Sequence, residues 1–252
     1  MNKIIIITGA TSGFGKAAAE KFAAEKWNCI ITGRREEQLH AFADELRTKY
    51  HVRVLSLVFD VQQRDQVFAH LGNLPEEWRQ VDVLLNNAGL ALGREHIDQG
   101  DPDDWDTMID TNVKGLLYVT RAVLPYLTAR RQGHIINLGS VAGKDVYENG
   151  NVYCASKAAV DTLSHAMRID LLQHSIKVSA IHPGAAKTEF ASVRFKGDED
   201  KAAQTYKGFE PLSAEDVAGI IYYTASLPAH ICINDLVVTC TAQADGIYFF
   251  KQ

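Results

Sequence analysis

The chain reads as an α/β fold built on one doubly wound parallel sheet with helices on both faces. Three observations carry that reading. Short runs rich in isoleucine, valine and leucine alternate with longer charged, amphipathic segments from end to end. Several of those runs are continuously apolar, as strands buried on both faces are. The runs also end on glycine, asparagine, aspartate or serine, the residue types that turn a chain or meet a ligand.

The first strand is expected at 3–8, where four isoleucines stand in a row. Gly9, Gly13 and Gly15 follow in a strand-to-helix turn, and a helix is expected over 16–26. Strands at 28–32 and 52–58 flank a charged helix at 36–49. A helix at 62–71 leads to a strand at 81–85, which runs into Asn86-Asn87-Ala88-Gly89. Residues 103–130 are helical in composition, with a break near 113–115. A strand at 134–138 delivers Gly139 and Ser140. Asn151 caps a helix expected over 152–173, and the strand at 177–181 ends at His182-Pro183-Gly184. Ser213 caps a helix at 213–225 whose first turn holds Glu215 and Asp216. A short strand at 236–239 closes the pattern.

At 252 residues, with no linker or internal repeat beyond the βα alternation, one domain spanning 1–252 is expected. The polar stretch 192–211 interrupts the alternation and reads as part of a lid-like insertion around 187–211. A net charge of −5 and no basic run argue against a nucleic-acid partner or an anionic membrane surface. The apolar start is too short to span a membrane or serve as a signal peptide. The four cysteines have no paired spacing, which fits free thiols in the cytoplasm, and the nine histidines form no ligand motif, so no metal is expected.

In a doubly wound sheet, ligands bind beyond the carboxyl ends of the strands, where all these unusual residues fall. The glycine turn fits a pyrophosphate above a helix N-terminus. Gly15-Lys16 has the look of a nucleotide-triphosphate loop, but Ala10 and Ala17 stand where that loop needs glycine and a hydroxyl. At the end of the second strand, Gly33 takes the place of the carboxylate that would hold ribose hydroxyls. Arg34 and Arg35 follow, favouring a 2′-phosphate and hence NADP, with Arg34 the first choice and Ser12 its hydroxyl partner.

Tyr153 and Lys157 lie four apart on one helix, so phenol and ammonium share a face. A nearby cation lowers a phenol's pKa and makes it a usable general acid or base. Ser140 arrives from the neighbouring strand. A hydrolase built on Ser140 would need G-x-S-x-G, and the sequence reads Gly139-Ser140-Val141-Ala142-Gly143.

Together these residues resemble the short-chain dehydrogenase/reductase family. The match rests on Thr8 through Gly15, Asn86 through Gly89, Asn112 within Thr111–Gly115, Ser140, Tyr153, Lys157, and Pro183-Gly184 with Thr188 following. The resemblance implies a Rossmann-type NADP(H) domain and a catalytic set of Asn112, Ser140, Tyr153 and Lys157. In that set Tyr153 carries the proton, Ser140 donates to the substrate oxygen, Lys157 holds the nicotinamide ribose, and Asn112 steadies a water. It implies cofactor contacts from Gly9, Thr11, Ser12, Gly13, Phe14, Gly15, Arg34, Arg35, Asp60, Val61, Asn87, Ala88, Gly89, Pro183, Gly184 and Thr188, besides Tyr153 and Lys157. It also implies a cytoplasmic homotetramer. The stretches 188–190, 193–198 and 227–230 resemble the branch that oxidises 3-hydroxy acids such as serine, L-allo-threonine and 3-hydroxyisobutyrate, and reduces malonic semialdehyde in reverse. A carboxylate substrate needs a cation, for which Arg194 is the candidate, with Lys187 and Lys144 behind it. A reductase of neutral ketones or aldehydes and a non-catalytic NADP-binding sensor are the alternatives; four intact catalytic residue types argue against the sensor.

Overall fold

A computed structural model describes residues 2–252. Seven strands, all parallel, lie in the order β3-β2-β1-β4-β5-β6-β7. They are β1 (Ile4–Ile7), β2 (Asn28–Gly33), β3 (Val54–Val58), β4 (Val81–Asn86), β5 (Gly133–Leu138), β6 (Ile176–Pro183) and β7 (Asp235–Val238). The order reverses between β1 and β4. The chain first winds outward to β3, then returns and winds the other way, so a crevice opens where the two halves part.

The four isoleucines of β1 divide between the two faces with the strand's period of two. Ile5 and Ile7 pack with Phe22 of α1 (Gly13–Ala24), Leu39 of α2 (Glu36–Tyr50) and Val217 of α9 (Ala214–Ser226). Ile4 and Ile6 pack with Val67 of α3 (Arg64–Leu71) and Val119 of α5 (Leu116–Arg130) on the other side. All four are essentially buried, each contributing about 1.5–3 kcal/mol of transfer energy.

The remaining elements are α4 (Pro102–Ile109), α6 (Asn151–Leu171), α7 (Phe190–Arg194) and α8 (Glu199–Gln204). Element ends differ from the sequence reading by one to three residues, which is ordinary fraying at boundaries. Two differences have a physical cause. The expected break near 113–115 is a π-helical turn, Asp110–Gly115, which joins α4 to α5 without ending the helical path. Asn151 is the first residue of α6 and not its cap: Gly150 holds the cap position, while the Asn151 amide donates to the Glu95 carbonyl at 2.9 Å. By contrast Ser213 and Asp216 form a complete capping box on α9. The stretch expected to form a lid holds the short helices α7 and α8, and Tyr206 ties it to the sheet end through the Ala186 carbonyl at 2.7 Å.

Candidate active site

A cleft of about 1460 Å³ runs along the carboxyl ends of the strands. Its floor at one end is the glycine turn. Gly9 and Gly13 adopt φ of 67° and 51°, a region open to glycine at little cost. Gly15 lies deeper, and a Cβ there would stand 2.3 Å from the Gly9 carbonyl oxygen and 2.4 Å from Asn87 Nδ2. Asn87 donates to the carbonyls of Thr8 (2.8 Å) and Gly9 (3.1 Å). Its side-chain amide thereby braces the turn, and the residue also lines the cleft. The Thr8 hydroxyl accepts from Asn87 N and Ala88 N, locking β1 to the end of β4.

At the tip of β2, Arg34 Nη1 stands 3.3 Å from Asp60, and both line the cleft. Arg35 donates to the Thr11 hydroxyl at 2.9 and 3.1 Å and pairs with Glu189 at 3.1 Å. That pair links the nucleotide end of the cleft to the segment leading into α7. Ser12, Phe14, Val61, Ala88, Gly89, Pro183, Gly184 and Thr188 also line the cleft.

Ser140, Tyr153 and Lys157 all line it, and the Ser140 hydroxyl reaches the Tyr153 phenol. Lys157 is buried, and its Nζ donates to the Leu138 carbonyl at 2.9 Å. Burial pushes its pKa down to about 8. Tyr153 departs from the sequence reading, in which Lys157 would lower the phenol. Burial instead raises it well above the usual tyrosine range, and Tyr147 adds to the rise. The groups that pull it back are the Ser140 hydroxyl and the guanidinium of Arg194, not Lys157.

Asn112 is anchored within the protein. Its Oδ1 accepts from Leu90 N at 2.8 Å, and its Nδ2 donates to the Leu90 carbonyl (2.8 Å) and to Ser156 Oγ (3.0 Å). It is buried in the π-turn and does not line the cleft. Both Nδ2 hydrogens are used, so a water steadied by this side chain would donate to the second lone pair of Oδ1.

Arg194, at the end of α7, is buried and lines the cleft. Its guanidinium stands 5.5 Å from the ring centres of both Tyr147 and Tyr153, and it donates to Tyr147 Oη at 2.8 Å and the Gly93 carbonyl at 3.2 Å. No carboxylate pairs with it among the described residues. Lys187 and Lys144 do not share that position. Lys187 is exposed and absent from the cleft lining, and Lys144 is held outside it by Asp161 and Asp235. Sequence reasoning missed Tyr147, which anchors Arg194, and Gln243, whose Oε1 accepts from Ala185 N at 2.7 Å beside the cleft. Tyr147 sits inside the 140–157 stretch but in no motif; Gln243 arrives from the far end of the chain.

The short chain dehydrogenase family profile matches residues 3–199. The NADP-dependent 3-hydroxy acid dehydrogenase YdfG of Salmonella typhi is 46% identical over 242 residues, 96% of either chain. Sulfoacetaldehyde reductase 2 of Chromohalobacter salexigens is 49% identical over 97% of this chain and 96% of its own. Among solved structures, the closed form of serine dehydrogenase complexed with NADP+ superposes with a TM-score of 0.91 at 44% identity, covering 99% of this chain and all of the other. The chain belongs to the short-chain dehydrogenase family.

Lys157 yields a stability test. Between about 8 and the ordinary 10.5, its folded form binds fewer protons than the unfolded chain. Its contribution therefore rises as pH climbs through that window, and the full penalty, on the order of 3 kcal/mol, applies below it. Denaturant unfolding of Lys157→Met compared with the parent should show the variant's advantage at neutral pH shrinking as pH rises. A constant difference across the window would contradict the assignment.

Proposed function

We propose that the chain is an NADP-dependent oxidoreductase that moves a hydride between nicotinamide and the hydroxyl or carbonyl carbon of a small hydroxy acid. The observation that carries the substrate class is Arg194: a buried guanidinium without a carboxylate partner among the described residues, packed on the ring of Tyr153. A carboxylate on the substrate would supply its counter-charge through charge-assisted hydrogen bonds. Relatives named as 3-hydroxy acid and serine dehydrogenases support the same class.

The residues present fit the cofactor. The Gly9–Gly15 cradle leaves no room for a Cβ at Gly15, and β2 ends on Gly33, with no carboxylate of its own there and two arginines following. Arg34, Arg35 and Ser12 are assigned to the 2′-phosphate, Asp60 and Val61 to the adenine end, and Gly89 and Lys157 to the nicotinamide ribose. Pro183, Gly184 and Thr188 are assigned to the nicotinamide end. When bound, the cofactor supplies or accepts the hydride.

Tyr153 protonates the developing alkoxide during carbonyl reduction and takes that proton back during oxidation. Burial keeps it protonated at neutral pH, and the Ser140 hydroxyl and the Arg194 guanidinium work against that rise. Ser140 donates to the same substrate oxygen, and Lys157 holds positive charge close by. A second reading takes the anion as a sulfonate, as in the reduction of sulfoacetaldehyde, because that relative is as similar as the hydroxy acid dehydrogenases. A coenzyme-linked absorbance screen over 3-hydroxy acids, sulfoacetaldehyde and neutral alcohols separates the two from a neutral-carbonyl reductase. We also read the protein as a cytoplasmic homotetramer; free thiols at all four cysteines and the exposed Val237, Tyr248 and Phe250 support it.

Three substitutions test the assignments. Tyr153→Phe should lower kcat by roughly 10²–10⁴-fold or more while NADPH binding, read by fluorescence, stays nearly intact. Arg34→Glu should cut the NADP/NAD ratio of kcat/KM by about 10- to 100-fold, as losing a charged hydrogen bond of about 1.5–3 kcal/mol implies. Arg194→Ala should raise KM for anionic substrates by about 10- to 100-fold on the same scale and leave neutral alcohols much less affected; equal effects on both would remove Arg194 from the anion site.

A further inference from the structure

Beside the cleft, on the far side of Ser140, four side chains from three elements converge. Asp161 and His165 lie one turn apart on α6, His182 is next to last in β6, and Asp235 begins β7. His182 is completely buried, and its Nε2 has no hydrogen-bond partner among the described residues. That nitrogen is 3.5 Å from Asp161 Oδ1 and 3.4 Å from Asp235 Oδ1. His165 Nε2 lies 3.7 Å from Asp161 Oδ1 and 3.8 Å from Asp235 Oδ2.

The other ring nitrogen settles the tautomer. His182 Nδ1 is 3.3 Å from the Ser140 carbonyl oxygen, which only accepts, so the ring proton belongs on Nδ1. Nε2 then presents a lone pair to two carboxylate oxygens, one of which, Asp161 Oδ1, also has no hydrogen-bond partner among the described residues. Lone pairs facing one another at these distances repel unless a cation lies among them. Lys144 meets the other oxygens, Asp161 Oδ2 at 3.0 Å and Asp235 Oδ2 at 2.6 Å, and its single charge leaves two carboxylates half neutralised.

We propose that Asp161, His165, His182 and Asp235 form a binding site for a divalent transition metal of the zinc type. Ligands around a tetrahedral zinc, at about 2.0–2.2 Å from the ion, are roughly 3.4 Å apart; His182 Nε2 stands 3.4 and 3.5 Å from the two carboxylates, and His165 Nε2 lies a little farther, at 3.7 and 3.8 Å. An imidazole that binds through one nitrogen and donates its other N–H to a backbone carbonyl is the usual support for such a ligand. The carbonyl in question belongs to Ser140, and Gly139 lets the ring approach: a Cβ there would sit 2.3 Å from Nδ1. The ion would thus brace the backbone that carries the candidate substrate-oxygen donor. Spacing concealed the site, because only Asp161 and His165 are near in sequence.

The test uses the full untagged chain, treated with a chelator and titrated with Co2+ as a visible-absorbing stand-in for zinc. One equivalent should bind with d–d absorption of tetrahedral intensity and raise the thermal midpoint. His165→Ala and Asp235→Asn alter side chains that reach solvent, and each should weaken binding at least about tenfold. Lys144→Ala removes the competing ammonium and should tighten it. Absence of stoichiometric binding by the parent chain overturns the proposal, as does binding that neither variant weakens. Binding by Lys144→Ala alone also overturns it, since Lys144 would then be the cluster's resident cation.

Discussion

A buried ammonium sets the terms for the centre of this molecule. Lys157 has lost nearly all contact with water and donates to the Leu138 carbonyl at the end of β5. An amine in that position is costly to hold charged. The surroundings accommodate it through geometry: Gly89 has no side chain, and a Cβ there would stand 3.4 Å from Nζ and 3.1 Å from Asn112 Oδ1. Asn112 in turn clamps Leu90 from both sides and reaches Ser156, one residue before the lysine. The ends of β4 and β5, the π-turn and the first turns of α6 therefore hold one another in register around a single charge.

That arrangement changes how the tyrosine works. A phenol beside an ammonium is expected to be acidic, yet Tyr153 is dominated by burial and held above the usual range. The cation it senses, Arg194, comes from α7 in the segment between β6 and α9. One guanidinium thus touches both the proton carrier and the position assigned to the substrate anion. Substrate charge and proton transfer are linked through it, because an anion arriving at Arg194 offsets the positive charge that pulls the phenol downward. The Arg35–Glu189 pair gives the same segment a second tie, at the nucleotide end of the cleft.

The layered fold was legible because its causes are local. Four isoleucines in β1 can only be buried on both faces, and Ser213 with Asp216 three residues on is a complete instruction for starting α9. The glycine turn, the Arg34-Arg35 tip and the Ser140–Lys157 stretch were legible for a related reason: each sits directly after a strand, so chain order alone assigns it to the carboxyl edge. Asn151 misled because its side chain bridges two segments: Oδ1 accepts from Val152 N at 2.7 Å, while Nδ2 donates to the distant Glu95 carbonyl, and the helix begins one residue earlier than expected.

What the sequence determined by itself is therefore the alternation, the edge at which the chemistry gathers, and the residue types that gather there. Only the tertiary structure decided which charges meet. Lys187, Lys144 and Arg194 are equivalent cations in a line of letters; packing leaves the first exposed, turns the second to Asp161 and Asp235, and buries the third against two tyrosines. The same holds for the histidines, where His182 acquires its carboxylates from α6 and β7. Charge pairing depends on separations of a few ångströms between elements far apart in the chain, and those distances exist only once the sheet has closed over its helices.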